Sequence, residues 1–75
     1  MEQNFEILEE YGNVAEYKNH DKVFAKVSWY GAEPKYEIRM WDKERKKPGK
    51  GIVLTEEDLL RLKTIIQLEK QRISK

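Results

Sequence analysis

From Val23 onward, apolar and polar residues alternate. Val23, Ala25, Val27 and Trp29 share one parity, and Phe24, Lys26, Ser28 and Tyr30 share the other, the period of a strand with two different faces. Lys35 to Trp41 repeats this, with Tyr36, Ile38 and Met40 on one side and Lys35, Arg39 and Trp41 on the other. An earlier run, Phe5 to Leu8, breaks at Gly12-Asn13 and resumes from Val14 to Tyr17. One strand with a bend or bulge accounts for it, with Phe5, Ile7 and Val14 toward the core. A short apolar run, Ile52-Val53-Leu54, supplies a fourth strand after the turn Lys47-Pro48-Gly49-Lys50-Gly51.

Turn chemistry separates these runs. Lys18-Asn19-His20-Asp21 is a polar cluster whose Asn and Asp tolerate left-handed backbone. Gly31-Ala32-Glu33-Pro34 closes a hairpin, and its proline marks where pairing cannot yet begin. After the fourth strand the period changes to that of a helix. Thr55-Glu56-Glu57-Asp58 reads as a capping box with acids at the positive helix end, and Lys70, Arg72 and Lys75 load the other end. Leu59, Leu62, Ile65, Ile66 and Ile73 form one stripe. Leu60 and Leu68 fall outside it, and a second apolar contact on a small helix predicts a symmetric dimer there. The order ββββα predicts the α+β class: a four-stranded antiparallel sheet with one face covered by the C-terminal helix, dimerising through that helix. The other sheet face is expected to leave Lys26, Ser28, Tyr30, Lys35, Arg39 and Trp41 open.

Composition sharpens this. Seventy-five residues make one domain, spanning 1–75, and a core of that size is marginal alone. The chain has no cysteine, so oligomerisation is the remaining way to bury more surface. No apolar run approaches the ~20 residues of a membrane span, and Met1-Glu2-Gln3 does not begin as a signal peptide does; a cytoplasmic location is the expectation. The net charge of +1 is unevenly spread. Residues 1–20 carry one Lys against five Glu, whereas residues 21–54 carry nine Lys or Arg against five acids. A cationic middle behind an acidic leader predicts a polyanion site on the sheet.

Lysines and arginines that track phosphates, beside aromatic rings that stack on unpaired bases, are what single-stranded nucleic acid requires. Stacking accepts any base, so little sequence preference is expected. Duplex reading would need a helix or ribbon for the major groove, and this helix is apolar on its inner side. Trp29 falls on the core parity and reads as packing. Lys50 in its glycine-flanked turn suits a phosphate, although Lys-Pro-Gly-Lys-Gly lacks the spacing and hydroxyl of a P-loop. Nothing predicts catalysis, a metal or a cofactor: His20 is the lone histidine, Ser28 and Ser74 lack a nucleophile signature, and no carboxylates form a recognisable dyad. An RNA ligand, or a protein-interaction module using the same face, is the alternative.

Lys35 to Leu62 resembles the transcriptional positive coactivator four family, including its small bacterial single-stranded-DNA-binding members. The resemblance rests on Tyr36-Glu37-Ile38-Arg39 with Trp41, on Lys47-Pro48-Gly49-Lys50-Gly51-Ile52-Val53-Leu54-Thr55, and on Leu59 and Leu62. It implies a curved sheet, a homodimer with helices at the contact, and a largely sequence-independent single-stranded-DNA-binding protein of transcription, replication or repair. It also implies DNA-facing roles for Arg39, Trp41, Lys47 and Lys50, and for Lys26, Ser28 and Tyr30. The turn lacks a further basic residue common in the family, and there is no serine-rich leader, so a bacterial or phage form, nucleoid-associated if bacterial, is implied.

Overall fold

The computed structural model describes residues 4–73. Met1-Glu2-Gln3, Ser74 and Lys75, the last expected at the helix end, lie outside the described residues. Four strands, β1 (Phe5–Glu16), β2 (His20–Trp29), β3 (Lys35–Asp42) and β4 (Pro48–Leu54), form one antiparallel sheet in the order β1-β2-β3-β4, followed by helix α1 (Glu56–Ile73). The fold is ββββα, of the α+β class. No helix among the described residues is long and apolar enough to cross a membrane.

The sheet coils on itself. Trp41 pairs with Asp21 at one end of β2, and Phe5 pairs with Trp29 at the other. Those ends would be ~26 Å apart on a straight strand. Yet the Trp29 and Trp41 rings lie 6.4 Å apart and the Phe5 and Trp41 rings 5.0 Å. The face carrying these rings is therefore concave, and it closes over Val23, Ala25, Val27 and Trp41, each at most 1% exposed. Phe5, Ile7 and Trp29 pack against that cluster. Three register shifts along β1 supply the bend, since each inserted residue adds local twist.

This arrangement corrects the face assignment of the third strand. The β2–β3 register pairs Val27 with Lys35, Ala25 with Glu37, Val23 with Arg39 and Asp21 with Trp41. Paired residues share a face, so Lys35, Glu37, Arg39 and Trp41 belong with the core residues of β2. Lys26 and Ser28 share the opposite, convex face with Tyr36, Ile38 and Met40. The proposed open face does not exist as one surface. Val14, expected in the core, is 59% exposed. The fourth strand begins at Pro48 rather than Ile52, because Pro48 and Gly51 of the turn pair with β3. A Cβ on Gly51 would stand 2.6 Å from the Arg39 Cβ and from the Ile38 carbonyl oxygen, so only glycine permits that approach.

The β2–β3 connection is longer than expected, with residues 30–34 between the strands, and it opens on a tight turn. Ala32 N–H donates to the Trp29 carbonyl at 2.8 Å, and Tyr30 and Gly31 take φ of 54° and 74°. Positive φ at both central positions is a type I′ turn; it begins the connection, and strand pairing starts further in, at Val27 and Lys35. Ser28 Oγ donates to the Ala32 carbonyl and steadies it. The helix start matches expectation and adds a reciprocal bond. Asp58 N–H donates to Thr55 Oγ1 at 3.0 Å, and Thr55 N–H donates to Asp58 Oδ2 at 3.1 Å. The helix covers little: α1 meets the sheet chiefly at β4, Leu59 and Leu62 are half-buried, and none of its residues is fully buried.

A charged knot ties the β3–β4 loop to the first hairpin. Buried Asp21 accepts from Lys43 Nζ at 2.7 Å and from Arg45 Nη1 at 2.9 Å, and Arg45 Nε reaches Glu10 at 3.0 Å. The hydrogen bond from Lys43, then that from Arg45, hold the Asp21 carboxyl below its usual pKa against desolvation. Asp42 is lowered too, first by the Lys47 amide and, against desolvation, by that of Lys46. Both groups have a lower pKa folded than unfolded, so their contribution is complete above the unfolded value of about 4. It is lost as pH falls through the folded values. Denaturant midpoints are therefore expected to hold from pH 7 to 5 and drop toward pH 2, with a smaller drop in Asp21→Asn. Equal acid sensitivity in that variant would remove Asp21 from the account.

Candidate nucleic-acid interface

The eight residues expected to meet nucleic acid separate into three groups. Two are structural. Trp41 is completely buried and cannot stack on a base. The reason is the register, which turns its ring inward against Phe5 and Trp29. Ser28 is 8% exposed, with its hydroxyl spent on the Tyr30-Gly31 turn.

A second group lies away from the concave face. Lys26 stands over the Tyr36 ring on the convex side, Nζ 5.2 Å from its centroid, in a row completed by Phe24 and Tyr11. Lys50 and Lys22 flank a shallow recess of about 350 Å³ floored by Ile38, Met40 and Ile52. Lys47 is exposed at the loop end, and its backbone amide is held by Asp42.

In the third group Lys35 and Arg39 share the concave face, and Tyr30 stands on the turn next to it. Lys35 starts β3 beside Val27, Tyr30 projects from the turn at 78% exposure, and Arg39 lies two pleats further on. The residue that joins them is Trp29, read from the sequence as packing alone. Its ring is half-exposed and lines a recess of about 280 Å³ with Lys35, Val27 and Val53. The parity signal was correct about its direction. It carried no sign that β2 ends at Trp29, where the concave face opens to solvent.

Glu37 organises this end. The residue is completely buried; Arg39 donates to both of its carboxylate oxygens, and Trp29 donates to one of them. Arg39 Nε donates to Oε1 at 2.6 Å and Trp29 Nε1 to Oε2 at 2.8 Å. Arg39 Nη1 also donates to the Gly49 carbonyl at 2.9 Å, and the guanidinium lies 4.8 Å over the Trp29 ring. One buried anion thus fixes an indole and a cation in a single stack. Arg39 is therefore a framework residue first, and what it offers a ligand is the remaining edge of its fork. Lys35, Lys47 and Lys50 make no ion pair among the described residues and keep their charge for an outside anion.

No family model matches the chain. A Treponema pallidum (strain Nichols) protein, described as an uncharacterized protein, is 30% identical over 64 residues, 84% of this chain and 75% of the relative. The chain belongs to the same family as that protein.

Proposed function

We propose that this protein is a homodimeric binder of single-stranded DNA, largely indifferent to sequence and acting in transcription, replication or repair. The supporting observation is the stack at the open end of the concave face. The partly buried Trp29 ring is locked by Glu37, overlaid by Arg39 and shares a recess with Lys35, and Tyr30 is exposed on the adjoining turn. Rings that accept bases and unpaired cations that accept phosphates then stand side by side, and a duplex would keep its bases from reaching them. The resemblance of Lys35–Leu62 to the coactivator four family supports the same reading. Lys47 and Lys50 lie off this face and offer separate charges to the same strand, and a dimer presents two such ends, so one strand that reaches both gains effective concentration. Dimerisation is supported by the exposure of Leu60 and Leu68, 64% and 71%, on a helix that otherwise touches little.

Tyr30 tests the site without disturbing the core. A non-glycine residue at positive φ costs roughly 1 kcal/mol, and the ring makes up for that only if it serves something outside the chain. Tyr30→Gly is expected to raise stability by about 0.5–1 kcal/mol and lower affinity for oligo-dT by about 1–3 kcal/mol, the worth of one stacked base. Chemical denaturation and fluorescence anisotropy read the two separately. Unchanged affinity would take Tyr30 out of the interface.

A further inference from the structure

The recess beside Trp29 carries a charge out of place in a phosphate site. Val27, Trp29, Ala32, Glu33, Lys35 and Val53 line it. Its volume of about 280 Å³ equals that of about nine waters, which is room for one base and no more. Val27, Val53 and the Trp29 indole make its walls apolar, so the two charged side chains decide what polar edge it accepts. Both come from one short segment. Glu33 precedes Pro34, which favours extended backbone, so Glu33 and Lys35 fall on the same side, two residues apart. Neither makes an ion pair among the described residues. By contrast Glu37, Asp21 and Glu10 each hold an arginine.

Lys35 suits the backbone of a strand, and Glu33 opposes it. A carboxylate within the ~8 Å screening length of a phosphate repels it. It favours only groups that donate hydrogen bonds, and on a single strand those are the edges of unpaired bases. The bases differ sharply in what they donate. Guanine presents its N1 and N2 hydrogens side by side, so both carboxylate oxygens accept, in the two-pronged geometry of an arginine–carboxylate pair. Adenine and cytosine offer an amine beside a bare ring nitrogen, so one oxygen accepts and the other meets a lone pair. Thymine and uracil offer one N–H between two carbonyl oxygens, and both carbonyls repel the carboxylate. Guanine alone satisfies Glu33 completely.

We infer that this recess is a guanine-preferring base site in which Glu33 determines specificity, Trp29 and Val53 form the walls, and Lys35 holds the adjoining phosphate. The inference rests on the single-strand reading above and adds one position at which the identity of the base counts. Competition against fluorescein-labelled oligo-dT tests it, with unlabelled oligo-dT strands that carry one central dG, dA, dC or deoxyinosine. The dG strand is expected to compete about fivefold better than plain oligo-dT, the lower end for one bidentate base contact. Deoxyinosine lacks the N2 amine, so its strand is expected to fall back to within about twofold of oligo-dT. The amide of Glu33→Gln offers one acceptor in place of two, and the dG advantage is expected to shrink to less than about twofold. Glu33 is exposed, so folding is expected to survive, and circular dichroism checks it. A parent that ranks dG no higher than dA, dC or deoxyinosine overturns the guanine site and leaves single-strand binding standing. So does a Glu33→Gln protein that keeps the full dG advantage. A parent that does not bind labelled oligo-dT overturns both.

Discussion

Trp41→Ala is expected to destabilise the chain more than any other single substitution at the sheet's concave face. The ring is completely buried and holds Phe5 and Trp29, the two residues through which the ends of the coiled sheet meet. Removing a buried Trp costs about 3–5 kcal/mol. A 75-residue chain has roughly 4–11 kcal/mol in total, so the loss takes from about a third of it to nearly all. Trp41→Phe separates packing from chemistry. The indole Nε1 is buried with no hydrogen-bond partner among the described residues, so phenylalanine gives up volume but also an unsatisfied donor. It is expected to lose less than half of what alanine loses and to bind oligo-dT like the parent. A folded Trp41→Phe protein that binds more than tenfold more weakly would place the ring at the ligand after all.

Arg39→Ala is the second large effect, and it acts through Glu37. The substitution strands a completely buried carboxylate that keeps only the Trp29 indole as a partner. Breaking a buried pair from one side costs about 3–5 kcal/mol, mostly as the penalty of the unpaired charge. Part of that is recovered here, because Arg39 retains 17% side-chain exposure and water can follow it out. Glu37→Gln/Arg39→Ala removes the charge and still accepts from Trp29 Nε1, so it is expected to recover more than half of the single variant's loss. Urea denaturation of the two variants and the parent decides it. A double variant no more stable than Arg39→Ala would mean the cost lies in the guanidinium's packing on Trp29, not in the charge. Any loss of nucleic-acid affinity in Arg39→Ala has meaning only beside this control.

The fold was legible in the sequence wherever period and punctuation agreed. Thr55 to Asp58 announced the helix, and the alternation from Val23 to Trp29 named its core face correctly. The third strand misled because its inward residues are Glu37, Arg39 and Trp41, while the outward ones are Tyr36, Ile38 and Met40. A buried ion pair looks like a solvent face to any reading that sorts by polarity. Only the register, Ala25 against Glu37, reveals that the charges neutralise each other inside. β1 misled for the opposite reason. Val14 looks like a core residue, and register shifts beyond the one bend legible at Gly12-Asn13 put it outside, with Leu8 and Tyr11. Gly49 and Gly51 had a packing reason as strong as any role in phosphate binding, visible only once β4 lay against Met40 and Arg39. The interface shifted accordingly. Lys35 and Tyr30 are exposed, Trp41 is buried where Trp29 is only partly so, and Arg39 is bound to Glu37.

Binding itself is the central claim, and one titration addresses it. Fluorescein-labelled oligo-dT, the matched duplex and oligo-rU are titrated with the protein, reading anisotropy at several salt concentrations. Oligo-dT is expected to bind more tightly than the duplex, with log affinity falling linearly against log salt by about 0.7 for each phosphate contacted. Lys35→Ala is expected to make that slope shallower by about one contact per protomer. No change in anisotropy with any of the three at low salt would contradict the account and leave the aromatic end of the sheet to a protein partner.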